Sequence, residues 1–312
     1  MGRKRTAKFW LIILAGLGFF PGNEAPASIR LSDLRLIDPP APRIPLNEEV
    51  LRIPLEVPEA AGPRRIFLEA TLFRPEGAGP FPLVVLSHGT PRATDHHGER
   101  QRFEAQSWAF VNMGLAVVIP MRRGYGRSQG SYAEVEGWCE QARYYEAGRE
   151  SAKDLLATVR FLAAQPFIEA GRIVLAGHSS GGFASLALAS RGFDGLRGVI
   201  NFSGGRGSRA DKVCSPPELI QAFARFGRTT RVPTLWLYAE NDTYFPPTLV
   251  RELHRAFQGG GGKAQLIMLS PFFSEGHYFF TDVRGLPWWT GIVKAFLDRL
   301  GILPPVPRPP VP

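Results

Sequence analysis

The sequence is poor in cysteine, with only two among its 312 residues. So few cysteines exclude the small secreted domains whose folds depend on several disulfides. Charged residues make up 21% of the chain and hydrophobic residues 44%, which excludes a collagen-like repeat or low-complexity disorder. The formal charge is +9, but beyond residue 27 the arginines are scattered and form no basic run. We therefore expect no nucleic-acid partner.

The chain also lacks an apolar run of the roughly 20 residues that a membrane-spanning helix needs. The run from Phe9 to Phe20 has 12 residues, follows four basic residues and precedes Ala25-Pro26-Ala27, whose small side chains suit a cleavage site. A membrane anchor is the alternative, but we predict that residues 1–27 are a secretory signal peptide. The mature chain, from about Ser28, is then periplasmic or secreted and has no stable membrane anchor.

The rest of the sequence alternates strand and helix patterns. Residues 53–57 and 66–73 roughly alternate apolar and polar side chains, which indicates antiparallel strands at a sheet edge. Six later segments are short, continuous apolar runs, typical of strands buried on both faces. These runs are residues 83–86, 115–119, 173–176, 199–202, 235–238 and 266–269.

Apolar residues at helical spacing lie between these runs, as in residues 152–162 and 249–257 and in a last helix starting at Pro287. Alternating strands and helices predict an α/β fold with a mostly parallel sheet and helices on both faces. We predict one such domain over residues 28–301, followed by a Pro-rich disordered tail at 302–312.

The most informative motif is Gly177-His178-Ser179-Ser180-Gly181, between a predicted strand and a run of small, helix-compatible residues. A serine at a sharp strand-to-helix turn has a strained backbone, and glycines two residues to either side give that turn room. The turn presents the Ser179 hydroxyl above the sheet, at the positive end of the next helix. Ser179 is therefore our candidate nucleophile.

Over residues 53–300 the chain resembles the α/β-hydrolase family, and within it the dienelactone-hydrolase-like branch. The resemblance rests on this motif, on His88-Gly89 after the first buried strand, and on an acidic residue and a histidine that follow later strands. It implies the α/β-hydrolase fold and the chain order serine, acid, histidine. Dienelactone hydrolases proper carry a cysteine where this chain has Ser179, so lactone specificity is not implied.

This order assigns Asp242 as the acid and His277 as the histidine of a catalytic triad. Asp242 follows the strand that ends near Tyr238, where Glu240 is the alternative acid. The carboxylate would orient the imidazole and stabilise its protonated form. His277 would take the proton of Ser179 and then give it to the leaving group.

The resemblance also implies an oxyanion hole formed by the backbone NH groups of Thr90 and Ser180. We interpret His88 as a structural hydrogen-bonding residue, with a second base as the alternative. His96 and His97 are adjacent, but a zinc site needs three or four ligands. We predict neither a metal nor an organic cofactor.

Arg122 and Arg123 follow the next predicted strand, in a loop similar to one that is common in this branch. Their guanidinium groups could hold a substrate carboxylate, but we favour salt bridges that shape the loop.

Cys139 and Cys214 follow different strands of the predicted parallel sheet, so both loops emerge at the edge where Ser179 lies. Because an exported chain meets an oxidising compartment, we predict that these cysteines form a disulfide.

Together these residues predict a secreted serine hydrolase that cleaves carboxylic esters of small molecules through an acyl-enzyme. Serine peptidases and acyltransferases use the same residues on the same fold, and a non-catalytic binding module is a further alternative. The sequence gives no prediction of the oligomeric state.

Overall fold

The computed structural model describes residues 11–12, 28–29, 36–37, 46–60, 62–90, 98–209 and 212–304. Apart from Leu11–Ile12, the predicted signal peptide lies outside the described residues, as do His96 and His97. Within the described part, no helix is both long and apolar enough to span a membrane.

The strands of the described part include every run that the sequence predicts. In chain order they are β1 (Leu11–Ile12), β2 (Ser28–Ile29), β3 (Leu36–Ile37), β4 (Asn47–Val57), β5 (Arg64–Arg74), β6 (Phe81–Ser87), β7 (Ala116–Pro120), β8 (Ile168–His178), β9 (Leu196–Phe202), β10 (Ser208–Arg209), β11 (Lys212–Val213), β12 (Thr234–Ala239) and β13 (Ala264–Leu269).

From β6 onward, α-helices alternate with the strands of the large sheet. They are α1 (Glu104–Asn112), α2 (Tyr144–Ala163), α3 (Ser180–Arg191), α4 (Pro216–Thr229), α5 (Pro247–Gly259) and α6 (Leu286–Arg299). Short 3₁₀ helices cover Cys139–Gln141, Gly276–Phe279 and Val283–Gly285.

Nine of the described strands form one sheet, in the order β2-β13-β12-β9-β8-β6-β7-β5-β4. Strand β5 is antiparallel to both β4 and β7, and the remaining neighbours are parallel. The predicted α/β class, the mostly parallel sheet and the antiparallel pair at its edge are confirmed.

Helices cover both faces of this sheet because side chains of a strand alternate between the faces. In β6, Leu83 and Val85 pack into the core under α2, α3, α4 and α5, while Val84 and Leu86 pack into the core under α1 and α6. Strand β6 lies between β7 and β8, so the chain order reverses beside it. Ligands of open α/β sheets bind at the carboxyl ends of the strands at such a point.

The residues that directly follow the predicted domain boundary pack on the domain. Ile302 is 0% exposed in the core under α1 and α6, and its NH donates to the carbonyl of Leu297 at 3.0 Å. Pro304 lies against Gly114. Burial of an isoleucine side chain stabilises the fold, so residues 302–304 pack on the domain; residues 305–312 lie outside the described part.

Candidate active site

Ser179 lies in the tight turn between β8 and α3. Its φ of 55° and ψ of −125° are conformations that a serine adopts only where the surrounding structure enforces them. The Ser179 NH donates to the carbonyl of Phe202 at 3.0 Å, and the Ser179 carbonyl accepts from the NH of Gly205 at 3.1 Å. These bonds anchor the turn to the end of β9 and leave the half-buried serine at the carboxyl edge of the sheet.

The two glycines of the motif are required by close backbone approach. A Cβ on Gly177 would lie 2.3 Å from the carbonyl carbon of Gly181, and a Cβ on Gly181 would lie 2.1 Å from the carbonyl oxygen of Ser87. Both distances are far shorter than van der Waals contact, so neither position admits a larger residue without a backbone shift.

Asp242 and His277 form a buried pair beside this turn. His277 Nδ1 is 3.1 Å from Asp242 Oδ2, and both residues are almost fully buried. The other carboxylate oxygen, Oδ1, accepts the backbone NH groups of Tyr244 and Phe245 at 2.9 and 3.0 Å. Glu240, the alternative acid, is exposed instead, so the structure pairs the histidine with Asp242.

His277 adjoins the serine turn through His178. His178 Nε2 donates to the backbone carbonyl of His277 at 2.8 Å, and the two rings lie 4.7 Å apart between centroids. Among the described side chains, the Ser179 hydroxyl has no hydrogen bond to the imidazole of His277. Such bonds often form only once a substrate is bound.

Asn241 and Glu275, which sequence patterns do not single out, link the acid loop to the histidine loop. The side-chain carbonyl of Asn241 accepts the NH of Phe272 at 2.8 Å. One carboxylate oxygen of Glu275 accepts the NH groups of Thr243 and His277, at 3.2 and 2.9 Å. These contacts link loops more than 30 residues apart, which no local motif reveals.

Thr90 and Ser180 meet at the end of β6. Their hydroxyl oxygens are 2.8 Å apart, and the Thr90 hydroxyl also lies 3.0 Å from that of Tyr125. Gly89, just before Thr90, is close to the nucleophile, because a Cβ there would lie 3.2 Å from Ser179 Cβ. The structure therefore brings both predicted oxyanion residues next to Ser179.

A buried ion-pair network contacts the end of β6 and Ser180 and holds them in place. The Arg122 guanidinium donates to Ser87 Oγ at 2.9 Å, to the carbonyl of His88 at 2.6 Å and to Ser180 Oγ at 3.3 Å. It also pairs with Glu134, which pairs in turn with Arg206. Burial alone would raise the pKa of Glu134, but the two arginines hold that pKa well below its usual range.

The two arginines that follow β7 are both engaged in ion pairs. Arg123 is hydrogen-bonded to Asp154 through its backbone NH at 2.7 Å and its Nε at 2.6 Å, and pairs with Glu150 at 3.1 Å. The predicted role in salt bridges is therefore confirmed for Arg122 and Arg123. Glu134 and Arg206 belong to no motif, so the sequence alone does not reveal their role.

His88 uses both ring nitrogens within the fold. Its Nδ1 donates to the carbonyl of Gly89 at 2.7 Å, and its Nε2 accepts the NH of Arg122 at 3.3 Å. Burial and the nearby Arg122 charge lower the pKa of His88 to about 3. A neutral, fully bonded imidazole fits the structural role that we predicted.

The disulfide between Cys139 and Cys214 is present, with a Cα–Cα distance of 5.0 Å. It joins the loop between β7 and α2 to the loop that follows β9. The same two loops are linked by Arg206, which contacts Glu136 Oε1 at 2.8 Å. The disulfide and the ion pair between Arg206 and Glu136 together hold these two loops at the rim of the site.

A family model described as X-Pro dipeptidyl-peptidase (S15 family) matches residues 65–222, just over half of the chain. The matched segment includes Ser179, Thr90 and the arginine loop but ends before Asp242 and His277. No curated protein matches the chain at a significant level.

Solved structures of hydrolases are similar to this one. The Pyrococcus horikoshii acylaminoacyl peptidase has a TM-score of 0.60 and 16% identity, covering 81% of this chain and 42% of that protein. A Pyrococcus furiosus esterase has a TM-score of 0.54 and 16% identity, covering 80% of this chain and 93% of the esterase. A Klebsiella pneumoniae protein described as a dienelactone hydrolase has a TM-score of 0.51 and 17% identity, covering 81% of this chain and 99% of that protein.

At these identities the structures establish the fold. The chain has the α/β-hydrolase fold, shared with dienelactone-hydrolase-like proteins, as predicted. It spans less than half of the acylaminoacyl peptidase, of which 42% is covered.

Proposed function

Since the chain belongs to the X-Pro dipeptidyl-peptidase (S15) family and is a hydrolase, we propose that it uses a serine nucleophile. We propose further that its substrates are carboxylic esters of small molecules. Ser179 is the nucleophile, His277 the general base and acid, and Asp242 the orienting carboxylate. The observation that carries the proposal is the strained Ser179 turn beside the buried His277–Asp242 pair, whose Nδ1 to Oδ2 distance is 3.1 Å.

Each step follows from these atoms. Ser179 Oγ attacks the ester carbonyl carbon while its proton passes to His277 Nε2, and Asp242 stabilises the imidazolium. The tetrahedral intermediate collapses as the carbon–oxygen bond to the alcohol breaks and His277 returns the proton to the leaving oxygen. Water then attacks the acyl-enzyme by the same proton transfers, which releases the acid and regenerates Ser179.

The oxyanion of the intermediate is stabilised by the backbone NH groups of Thr90 and Ser180. The Ser180 NH belongs to the first turn of α3, where the helix presents NH groups without intrahelical partners. The hydrogen-bonded hydroxyls of Thr90 and Ser180, 2.8 Å apart, hold the two backbones together. Donors fixed in advance stabilise developing charge without reorganising during the reaction.

Esters are the substrate class for which this machinery suffices. An alkoxide leaves a tetrahedral intermediate more readily than an amide anion, so amide cleavage depends more strictly on protonation of the leaving nitrogen by His277. The family match makes peptides that begin with an X-Pro dipeptide the second candidate substrates.

Hydrolysis of p-nitrophenyl acyl esters and of an X-Pro p-nitroanilide, each measured with the wild type and with Ser179→Ala, tests this proposal. We expect the wild type to hydrolyse the esters and Ser179→Ala to do so at least about a thousandfold more slowly, since removal of a triad nucleophile has effects of that order. Anilide turnover exceeding ester turnover in kcat/KM would identify a peptidase. Equal turnover by wild type and variant would contradict the proposed role of Ser179.

We also propose that the protein is exported. The predicted signal peptide supports this, and so does the Cys139–Cys214 disulfide, since disulfides persist mainly in oxidising compartments. N-terminal sequencing of the protein recovered from the periplasm or medium should start near Ser28. A start at Met1 would contradict the proposal.

A further inference from the structure

The imidazole of His277 is stacked on an aromatic ring. The rings of Tyr244 and His277 lie 4.0 Å apart between centroids with an interplanar angle of 8°. Phe245, the next residue, lies 5.7 Å from the imidazole at an angle of 52°. Only the Tyr244 ring, among these two neighbours, therefore presents its π face to the whole imidazole.

The same residue is bound to the carboxylate of Asp242. The Tyr244 NH donates to Asp242 Oδ1 at 2.9 Å, and the Tyr244 hydroxyl contacts the hydroxyl of Tyr278. Tyr244 is 8% exposed, so its ring is largely buried. Backbone, ring and hydroxyl thus fix this residue relative to both members of the pair.

We propose that Tyr244 is a positioning residue that holds the imidazole of His277 in its catalytic plane and stabilises the imidazolium formed during the reaction. The inference rests on the proposed function, since it concerns the same site. A cation over the face of a tyrosine is attracted by the ring quadrupole, and more strongly where water is excluded. The stack is therefore worth more when His277 carries the proton than when it is neutral, so it favours the transition state.

Other titratable groups also face His277. They are Asp242 at Nδ1, His178 at the backbone carbonyl, Glu275 at the backbone NH and Tyr278 at the edge of the ring. Both Tyr244→Phe and Tyr244→Leu remove the hydroxyl contact with Tyr278, and only Tyr244→Leu also removes the ring. A change in the pH profile that is seen with leucine but not with phenylalanine therefore reports on the stacked ring.

The test measures the rate of labelling of Ser179 by a fluorophosphonate, between pH 5 and 9, in the wild type, Tyr244→Phe and Tyr244→Leu. We expect Tyr244→Phe to stay within about twofold, since phenylalanine keeps the π face. We expect Tyr244→Leu to label about tenfold more slowly, with the acid limb of its profile about one pH unit lower, because the imidazolium loses its cation–π partner.

Phe257→Leu is the matched control. It likewise replaces a buried aromatic ring with leucine, at a position where Phe257 packs on Trp236 at 5.2 Å, and it should keep the wild-type labelling rate and pH profile. If Tyr244→Leu does not fold, Tyr244→Met takes its place, because methionine fills irregular space well.

The outcomes separate the two levels of the proposal. Labelled wild type with equal rates and profiles for the leucine and phenylalanine variants would overturn the role of Tyr244 and leave the proposed function intact. Wild type that is not labelled at Ser179 would contradict the proposed function, and the role of Tyr244 with it.

Discussion

The hydroxyl groups of Thr90 and Ser180 connect the two ends of the candidate oxyanion hole. They lie 2.8 Å apart, and the Thr90 hydroxyl also contacts that of Tyr125 at 3.0 Å. Thr90 itself is exposed, so its hydroxyl is not needed to fill the core. We interpret the hydroxyl as the group that fixes the direction of the Thr90 NH.

Thr90→Val keeps the backbone NH and the side-chain shape but removes both contacts. We expect kcat for an ester to fall about tenfold with KM nearly unchanged, a smaller loss than the 10²- to 10³-fold that deletion of an oxyanion donor causes. Steady-state kinetics check this. Thr90→Ser retains the hydroxyl and should restore most of the rate; a valine variant as active as the serine variant would argue against the role of the hydroxyl.

At the residue scale, the sequence predicts those groups that belong to short motifs. Ser179 follows from its glycines and its place between a strand and a helix, whereas Thr90, Ser180, Asp242 and His277 follow from the resemblance to the α/β-hydrolase family. The groups that hold them could not be predicted, because each acts over a long separation. Tyr244 stacks on a histidine 33 residues away in sequence, a contact visible only once β12 and β13 are paired.

At the scale of elements, the Cys139–Cys214 disulfide closes a loop across 75 residues that contains α2, β8, α3 and β9. Cross-linking a loop of this length lowers the entropy of the unfolded chain, which contributes about 4 kcal/mol in the chain-entropy model.

When the disulfide is reduced, the free energy of unfolding should therefore fall, and the chain-entropy model sets the upper bound of this decrease at about 4 kcal/mol. Urea unfolding with and without a thiol reductant checks this. The double variant Cys139→Ser/Cys214→Ser is the control, and its stability should not respond to the reductant. An unchanged wild-type midpoint on full reduction would contradict the prediction.

The strands were predicted well because their apolar runs have one physical cause, burial on both faces of a parallel sheet. Helices α1 and α4 were not among the predicted elements. Helix α1 starts after Phe103 in a left-handed conformation with no side-chain cap, so its start carries no local signal. Helix α4 buries Leu219, Phe223 and Phe226 at helical spacing, a pattern that the sequence does contain.

At the scale of the whole molecule, buried titratable groups link stability to pH. Burial lowers the pKa of His88 and of His178 to about 3, from an ordinary value of 6.5. Between these values the unfolded chain binds protons that the folded chain does not, so stability falls as the pH falls. Burial also raises the pKa of Asp154 to about 6, from 3.8. As the pH falls, this carboxyl therefore binds a proton in the folded chain before it does so in the unfolded chain, which offsets part of the stability lost through the histidines.

With about 1.4 kcal/mol per pH unit for each group, these three groups predict a net loss of about 3 kcal/mol between pH 8 and pH 5. Urea unfolding at several pH values measures it. His88→Asn keeps a side-chain amide donor near Nδ1 but does not titrate, so its loss should shrink to about 1 kcal/mol. The same loss in wild type and variant would show that His88 does not contribute to it.

The central claim, that Ser179 is an activated nucleophile, is tested most directly by intact mass after treatment with a fluorophosphonate. The wild type should gain the mass of one adduct, mapped to Ser179, and Ser179→Ala should gain none. Folded wild-type protein without an adduct, or an equal adduct on both proteins, would contradict the account.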